Sequence, residues 1–193
     1  MHGVLRPRVN KHIVIGSALI VVFSLLLVVF MSSYWRDTYS VSGESMNPTL
    51  HDGEKIKITT TGEPVADDMV VFEQQEQWPQ YDVDKHGRLV IKRIVGLKGD
   101  TITLANNVLK INGQEAYTLP ESYECETDSF VGVVPAGRLF VLGDNTENSR
   151  DSLRALCLGG KDPYVHMDDV HTWGTSSSPF NYFIGAGRSS NAR

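Results

Sequence analysis

Three separate places in this 193-residue chain hold side chains whose type and setting could do chemistry. Ser45 lies in "GESMNPTL" (43–50), between Gly43, which permits close backbone approach to a ligand, and Pro48, which fixes φ and turns the chain away. A Ser hydroxyl is a poor nucleophile until a base takes its proton. Gly-x-Ser-x-x-Pro alone most often marks an ordinary turn, so the question passes to the base. His2, His12, His51, His86, His166 and His171 lie mostly in polar, loop-like stretches, and nothing around them points to a Ser-His-Asp triad. Lys92 is different. It sits in "RLVIKRIVGL" (88–97), and alternation along a strand puts Val90, Lys92 and Ile94 on one face and Ile91, Arg93 and Val95 on the other. A Lys among branched apolar neighbours loses hydration, which disfavours its ammonium form, and a neutral amine can take a proton from a hydroxyl. The competing reading, commoner for a lone strand, is a Lys that reaches water along its own alkyl stem. Arg93 stays charged and needs an acid. The third place, "GDNTENSRDS" (143–152), gathers Asp144, Asn145, Glu147, Asn148, Ser149, Asp151 and Ser152 behind an apolar strand. Its spacing fails the calcium-loop pattern, and Cys125 and Cys157 match no metal motif.

The elements that must position these groups read as strands. "KIKITT" (55–60) alternates, while "DMVVFEQ" (68–74) and "GRLFVLGD" (137–144) carry short apolar runs. "DTITLANNVLKING" (100–113) reads as a hairpin turning at Asn106-Asn107, with a second turn at Asn112-Gly113. Helical periodicity is scarce after residue 35, so the expected fold is mostly β, a sandwich or coiled antiparallel barrel. "EQQEQWPQYDVDKHG" (73–87) reads as a polar surface loop. The tail "GTSSSPFNYFIGAGRSSNAR" (174–193) shows little pattern and reads as loosely ordered from about Gly185.

Ile13 to Met31 holds no charge and is long enough to cross a hydrocarbon core of about 30 Å. Arg6, Arg8 and Lys11 precede it, which places the N-terminus in the cytoplasm and the rest outside. The expected organisation is a cytoplasmic segment (1–12), one transmembrane anchor (13–31) and an extracytoplasmic β-rich domain (32–193) at the cell membrane. The rival, a cleaved signal peptide, is disfavoured because the run is long and "SSYWRD" follows it where a small-residue cleavage site would stand. Apart from those three cations the chain carries 15 basic against 23 acidic residues, which argues against nucleic acid as a partner. Cys125 and Cys157 could pair outside the membrane or stay free.

Taken together and in order, these stretches resemble the type I signal peptidases, the Ser/Lys endopeptidases that remove secretory signal peptides. "GESMNPTL" resembles the family's nucleophile box, "DMVVF" its following strand, "IKRIVGLKGD" the box that carries the base, and "GDNTENSRDS" the box that closes the site. The resemblance covers about residues 11–152. It implies Ser45 as nucleophile, Lys92 as general base and Ser149 as the hydroxyl that orients the amine. It further implies Asp144 as the acid paired with Arg93, and Asp151 as a second structural acid. Met46, Leu50 and Ile91 match positions that line pockets for small side chains, the Ala-x-Ala preference. The implied partners are signal-peptide-bearing preproteins and the lipid bilayer, with no metal or cofactor. Some relatives place a Ser two residues before the nucleophile as an oxyanion donor, where this chain has Gly43. Lys98, Thr146 and Leu153 stand where the family has Pro, Arg and Arg. Loss of the last leaves Asp151 without its usual partner, with Arg150 or Arg154 as replacements. A non-catalytic membrane-anchored assembly factor on the same scaffold is the alternative, and it predicts that Ser45 and Lys92 lie apart.

Overall fold

The chain divides after Thr38 into two units, and the computed structural model describes residues 11–35, 38–60, 62–75, 78, 89–158 and 162–177. The first unit is a single helix, α1 (Lys11–Trp35). Its stretch Ile15–Ser32 is long and apolar enough to cross a membrane, and none of it is buried within the protein. Its length and composition are those of a helix suited to lipid contact.

The second unit is built of antiparallel strands. In chain order they are β1 (Thr38–Ser40), β2 (Lys55–Thr59), β3 (Met69–Glu73), β4 (Leu89–Gly96), β5 (Thr101–Ala105), β6 (Val108–Ile111), β7 (Gln114–Thr118), β8 (Ser129–Val133), β9 (Arg138–Leu142), β10 (Val165–His166) and β11 (Val170–Ser177). Seven form one sheet in the order β1-β2-β11-β3-β4-β9-β10. The other four, in the order β7-β6-β5-β8, form a small sheet inserted between β4 and β9. The two connections between the sheets are tied together by Gly99 N–H to Val134 O and Val134 N–H to Asp100 O, both 2.9 Å. The mostly β expectation therefore holds.

Local chemistry sets the hairpins. Asn106 and Asn107 have φ of 51° and 62°, and Asn112 and Gly113 have 52° and 79°. Two successive positive φ values make the turn whose twist matches antiparallel strands, and Asn and Gly are the residues that tolerate it. Asn112 adds a side-chain clamp, accepting from Thr101 N–H and donating to Asp100, each at 2.8 Å.

Two expectations change. The stretch 73–87 is not wholly a surface loop. Of it the structure describes 73–75 and 78, and Trp78 is buried with its ring edge-on to Phe72 at 5.9 Å. Its indole N–H donates to Asp162 O at 3.0 Å, which lets so large a side chain bury without an unpaired donor. Nor is the tail patternless from residue 174, because β11 runs to Ser177 between β2 and β3 in the large sheet. The proposed loosening near Gly185 lies outside the described residues.

A short helix, α2 (Ser152–Cys157), fills the angle between the sheets. Leu153, Leu156 and Cys157 are buried there with Ile102, Leu104 and Leu109 of the small sheet and Phe140 and Leu142 of β9. Cys157 is joined to Cys125 in a disulfide, which resolves the pairing left open by the sequence. The closed loop of 32 residues contains β8, β9, the polar 143–152 stretch and α2. Constraining a loop of that length in the unfolded chain contributes about 4 kcal/mol in the chain-entropy treatment. Reduction, or Cys125→Ala with Cys157→Ala, is expected to lower the unfolding free energy of residues 39–193 by that order, and with it the denaturation midpoint. Equal midpoints with and without reductant would show that the cross-link contributes nothing.

Candidate active site

β4 carries the centre of the site. It lies between β3 and β9, with Lys92 opposite Val70 and Arg93 opposite Met69 and Leu142. Lys92 is 1% exposed, so it does not reach water along its stem. Its Nζ lies 2.5 Å from Ser45 Oγ. The separation that a non-catalytic scaffold would show is absent.

The Ser45 turn is held from both sides. Val41 N–H donates to Glu54 O (2.8 Å) and Gly53 N–H to Val41 O (2.9 Å), which extends the β1–β2 pairing. Gly43, at φ +86°, donates its N–H to Asp52 Oδ1 at 2.7 Å. On the other side Asn145 N–H donates to Ser45 O at 2.9 Å and Asn145 Nδ2 to Glu44 O at 3.2 Å. Sequence reasoning missed Asp52, and it placed Asn145 in the polar cluster without giving it a role. Asp52 sits in a "HDG" turn signal, but its target nine residues earlier is set by strand pairing alone.

Because Arg93 faces Leu142 at the end of β9, Asp144 arrives two residues later beside the guanidinium. The pair is bidentate, Nε to Oδ1 at 2.8 Å and Nη2 to Oδ2 at 2.6 Å, while Arg93 Nη1 donates to Asp67 O at 2.8 Å. Burial works against the Asp144 carboxylate, but hydrogen bonds from Arg93 and Thr49 and the Arg93 charge outweigh it and hold its pKa below the ordinary value. The hydrogen bond to Asp144 likewise holds Arg93 above its usual value despite burial.

Asp151 is fully buried and caps α2. Its carboxylate accepts from Leu153 N–H (3.1 Å), Arg154 N–H (3.2 Å) and Gly143 N–H (2.9 Å). Backbone donors thus surround Asp151, and Arg154 does not replace the family's Arg: its guanidinium goes to Glu124 and lies over the Tyr123 ring. Ser149 Oγ is buried beside the site and has no hydrogen-bond partner among the described residues. A Cβ on Gly143 would overlap Ser149 Oγ and the Ser45 carbonyl oxygen, so this position requires glycine.

A groove of about 300 Å³ opens over Ser45. Its walls are Tyr39–Glu44 on one side and Leu89–Lys92 on the other, with Ile56, Val71 and Asn148. Ile91 lines it directly. Met46 and Leu50 are buried in the apolar cluster that includes Val41, Ile56, Val71 and Ile91. β4 pairs with β9 only from Arg93 onward, so Leu89–Lys92 have a strand edge that no described strand covers. Among the described residues no group of His, Cys, Asp or Glu side chains is arranged to hold a metal ion.

The family described as "Signal peptidase, peptidase S26" matches residues 14–172, which extends past the last of the resembling boxes at residue 152. The chain belongs to this family. Signal peptidase I of Bacillus licheniformis is 34% identical over 178 residues, covering 83% of this chain and 87% of that protein. Signal peptidase I T of Bacillus subtilis is 32% identical over 174 residues, covering 83% and 84%. The chain is accordingly a serine peptidase, in which Arg93, on the strand that carries Lys92, forms an ion pair with Asp144.

The sign of its pH dependence follows from the lowered Asp144 pKa. The pair's contribution is complete above the unfolded carboxylate value and is lost as pH falls through the folded one. Asp144→Asn is expected to cost about 2 kcal/mol at neutral pH, since it leaves a half-buried guanidinium short of its partner. The difference in stability from wild type is expected to hold down to about pH 5 and to shrink below it. A difference that stays constant to pH 3 in thermal denaturation would contradict the assignment.

Proposed function

We propose that this protein is a membrane-anchored endopeptidase that removes signal peptides from exported preproteins, with Ser45 as nucleophile and Lys92 as general base. The observation that carries the reading is the 2.5 Å approach of Lys92 Nζ to Ser45 Oγ with the Lys side chain shut away from water. In the proposed reaction the unprotonated amine takes the Ser45 proton as Oγ attacks the scissile carbonyl. The resulting ammonium gives that proton to the leaving amine, and an ester forms on Ser45. Water, deprotonated by the same amine, then attacks the ester and frees the enzyme. The Ser45 N–H is the oxyanion donor in this reading. The Gly43 N–H is taken by Asp52, so the second donor must come from elsewhere. Ser149, with its unpartnered hydroxyl, is the group available to orient the amine.

The substrate would bind extended, as a strand added between residues 39–42 and the uncovered edge of 89–92. Alternate side chains then enter the groove, whose walls of Val41, Ile56, Val71 and Ile91 favour small apolar residues such as Ala-x-Ala. Met46 and Leu50 would shape that floor from the cluster behind it. α1 would span the bilayer once with the N-terminus in the cytoplasm, which brings residues 32–193 to the surface where signal peptides emerge. The acidic balance of the chain outside the basic N-terminus gives nucleic acid no part in this function.

Ser45→Ala and Lys92→Met are each expected to reduce cleavage of a preprotein bearing Ala-x-Ala by about a thousandfold or more, with circular dichroism unchanged. Retained cleavage by either variant would refute the dyad.

A further inference from the structure

The residue before the nucleophile bears on which substrates are taken. Resting on the reading above, we propose that Glu44 selects substrates with a basic residue flanking the scissile bond, at a position whose side chain points out of the groove. Glu44 lines the groove and is exposed. It is also held in place. Its carbonyl accepts from Asn47 N–H at 3.0 Å and from Asn145 Nδ2 at 3.2 Å, and its Oε2 lies 3.5 Å from Asn148 Nδ2. Among the described lining residues only Glu44 and Lys92 are charged types. Lys92 is enclosed against Ser45, and Arg93, next along β4, is bound to Asp144. The acid at position 44 is therefore the charge that a bound side chain can reach.

An extended substrate buries every second side chain and turns the others outward. Placing the scissile carbonyl over Ser45 Oγ puts the outward side chains nearest the cut alongside residue 44. A Lys or Arg there meets an opposite charge, and an Asp or Glu meets a like one. The site is solvated, so the effect is modest and screened by salt: about two- to fivefold in kcat/KM for an exposed pair. It tunes the choice among substrates that the small pockets already accept.

The test uses the full chain in detergent and fluorogenic peptides with Ala-x-Ala before the cut. Lys, Gln or Glu is placed in turn at the second residue before the cut and at the first and second residues after it. The quantity read is the ratio of kcat/KM for the Lys peptide to that for the Glu peptide. Wild type is expected to give a ratio of about two to five at one or more positions in low salt, falling with added salt. Glu44→Gln is expected to bring that ratio to near one, and Glu44→Lys to invert it. No charge preference in wild type, or a preference that both variants keep, would overturn the inference. Ser45→Ala separates this outcome from the reading beneath it. If Ser45→Ala is inactive while the ratio ignores residue 44, only the role of Glu44 falls. If Ser45→Ala still cleaves, the dyad itself falls.

Discussion

A lysine amine enclosed in a sheet has to be matched by its surroundings, and this requirement organises the second unit of the protein. Removing such a group from water costs on the order of several kcal/mol unless partners compensate. Here Lys92 is 1% exposed and meets Ser45 Oγ at 2.5 Å. The same enclosure that makes the position costly keeps water from coming between the amine and the Ser45 hydroxyl and strengthens the hydrogen bond between them. Neighbouring structure is then arranged so that the two groups stay together.

That arrangement is a relay of short contacts, each set by a different element. The α2 cap at Asp151 holds Gly143, and the residues just after Gly143 reach both the Ser45 turn and β4. Asn145 holds the Ser45 carbonyl, while Asp144 holds Arg93, the neighbour of Lys92 on β4. The disulfide at Cys157 and the apolar cluster around Leu153 and Leu156 fix α2 against the small sheet. The small sheet thus contributes no described residue to the groove, yet it anchors the segment that positions Ser45 and Lys92.

Much of this was legible in local sequence. Asn106-Asn107 and Asn112-Gly113 marked their turns because a positive φ at two successive residues is a local demand. The Ser45 and Lys92 boxes were legible because the residues that shape each group lie within a few positions of it. What escaped depends on distant partners. Trp78 sits among Gln, Glu and Pro, and its burial depends on Phe72 and the apolar cluster around it and on the carbonyl of Asp162. β11 is a Thr- and Ser-rich segment made into a strand by β2 and β3 on either side. α2 has six residues, too few to show a period, although Asp151 ahead of "SLRALC" was a readable cap. The backbone satisfaction of Asp151 was hidden because the family's Arg suggested that a side chain must do it.

The central claim is that Lys92 activates the Ser45 hydroxyl. The most direct measurement is mass spectrometry of the acyl-enzyme formed with a short peptide aryl ester carrying Ala-x-Ala, on wild type and on Lys92→Met. The account predicts a single acyl adduct on the tryptic peptide containing Ser45 in wild type and none in Lys92→Met over the same time. Equal labelling of Ser45 in both proteins, or an adduct on another residue, would contradict it.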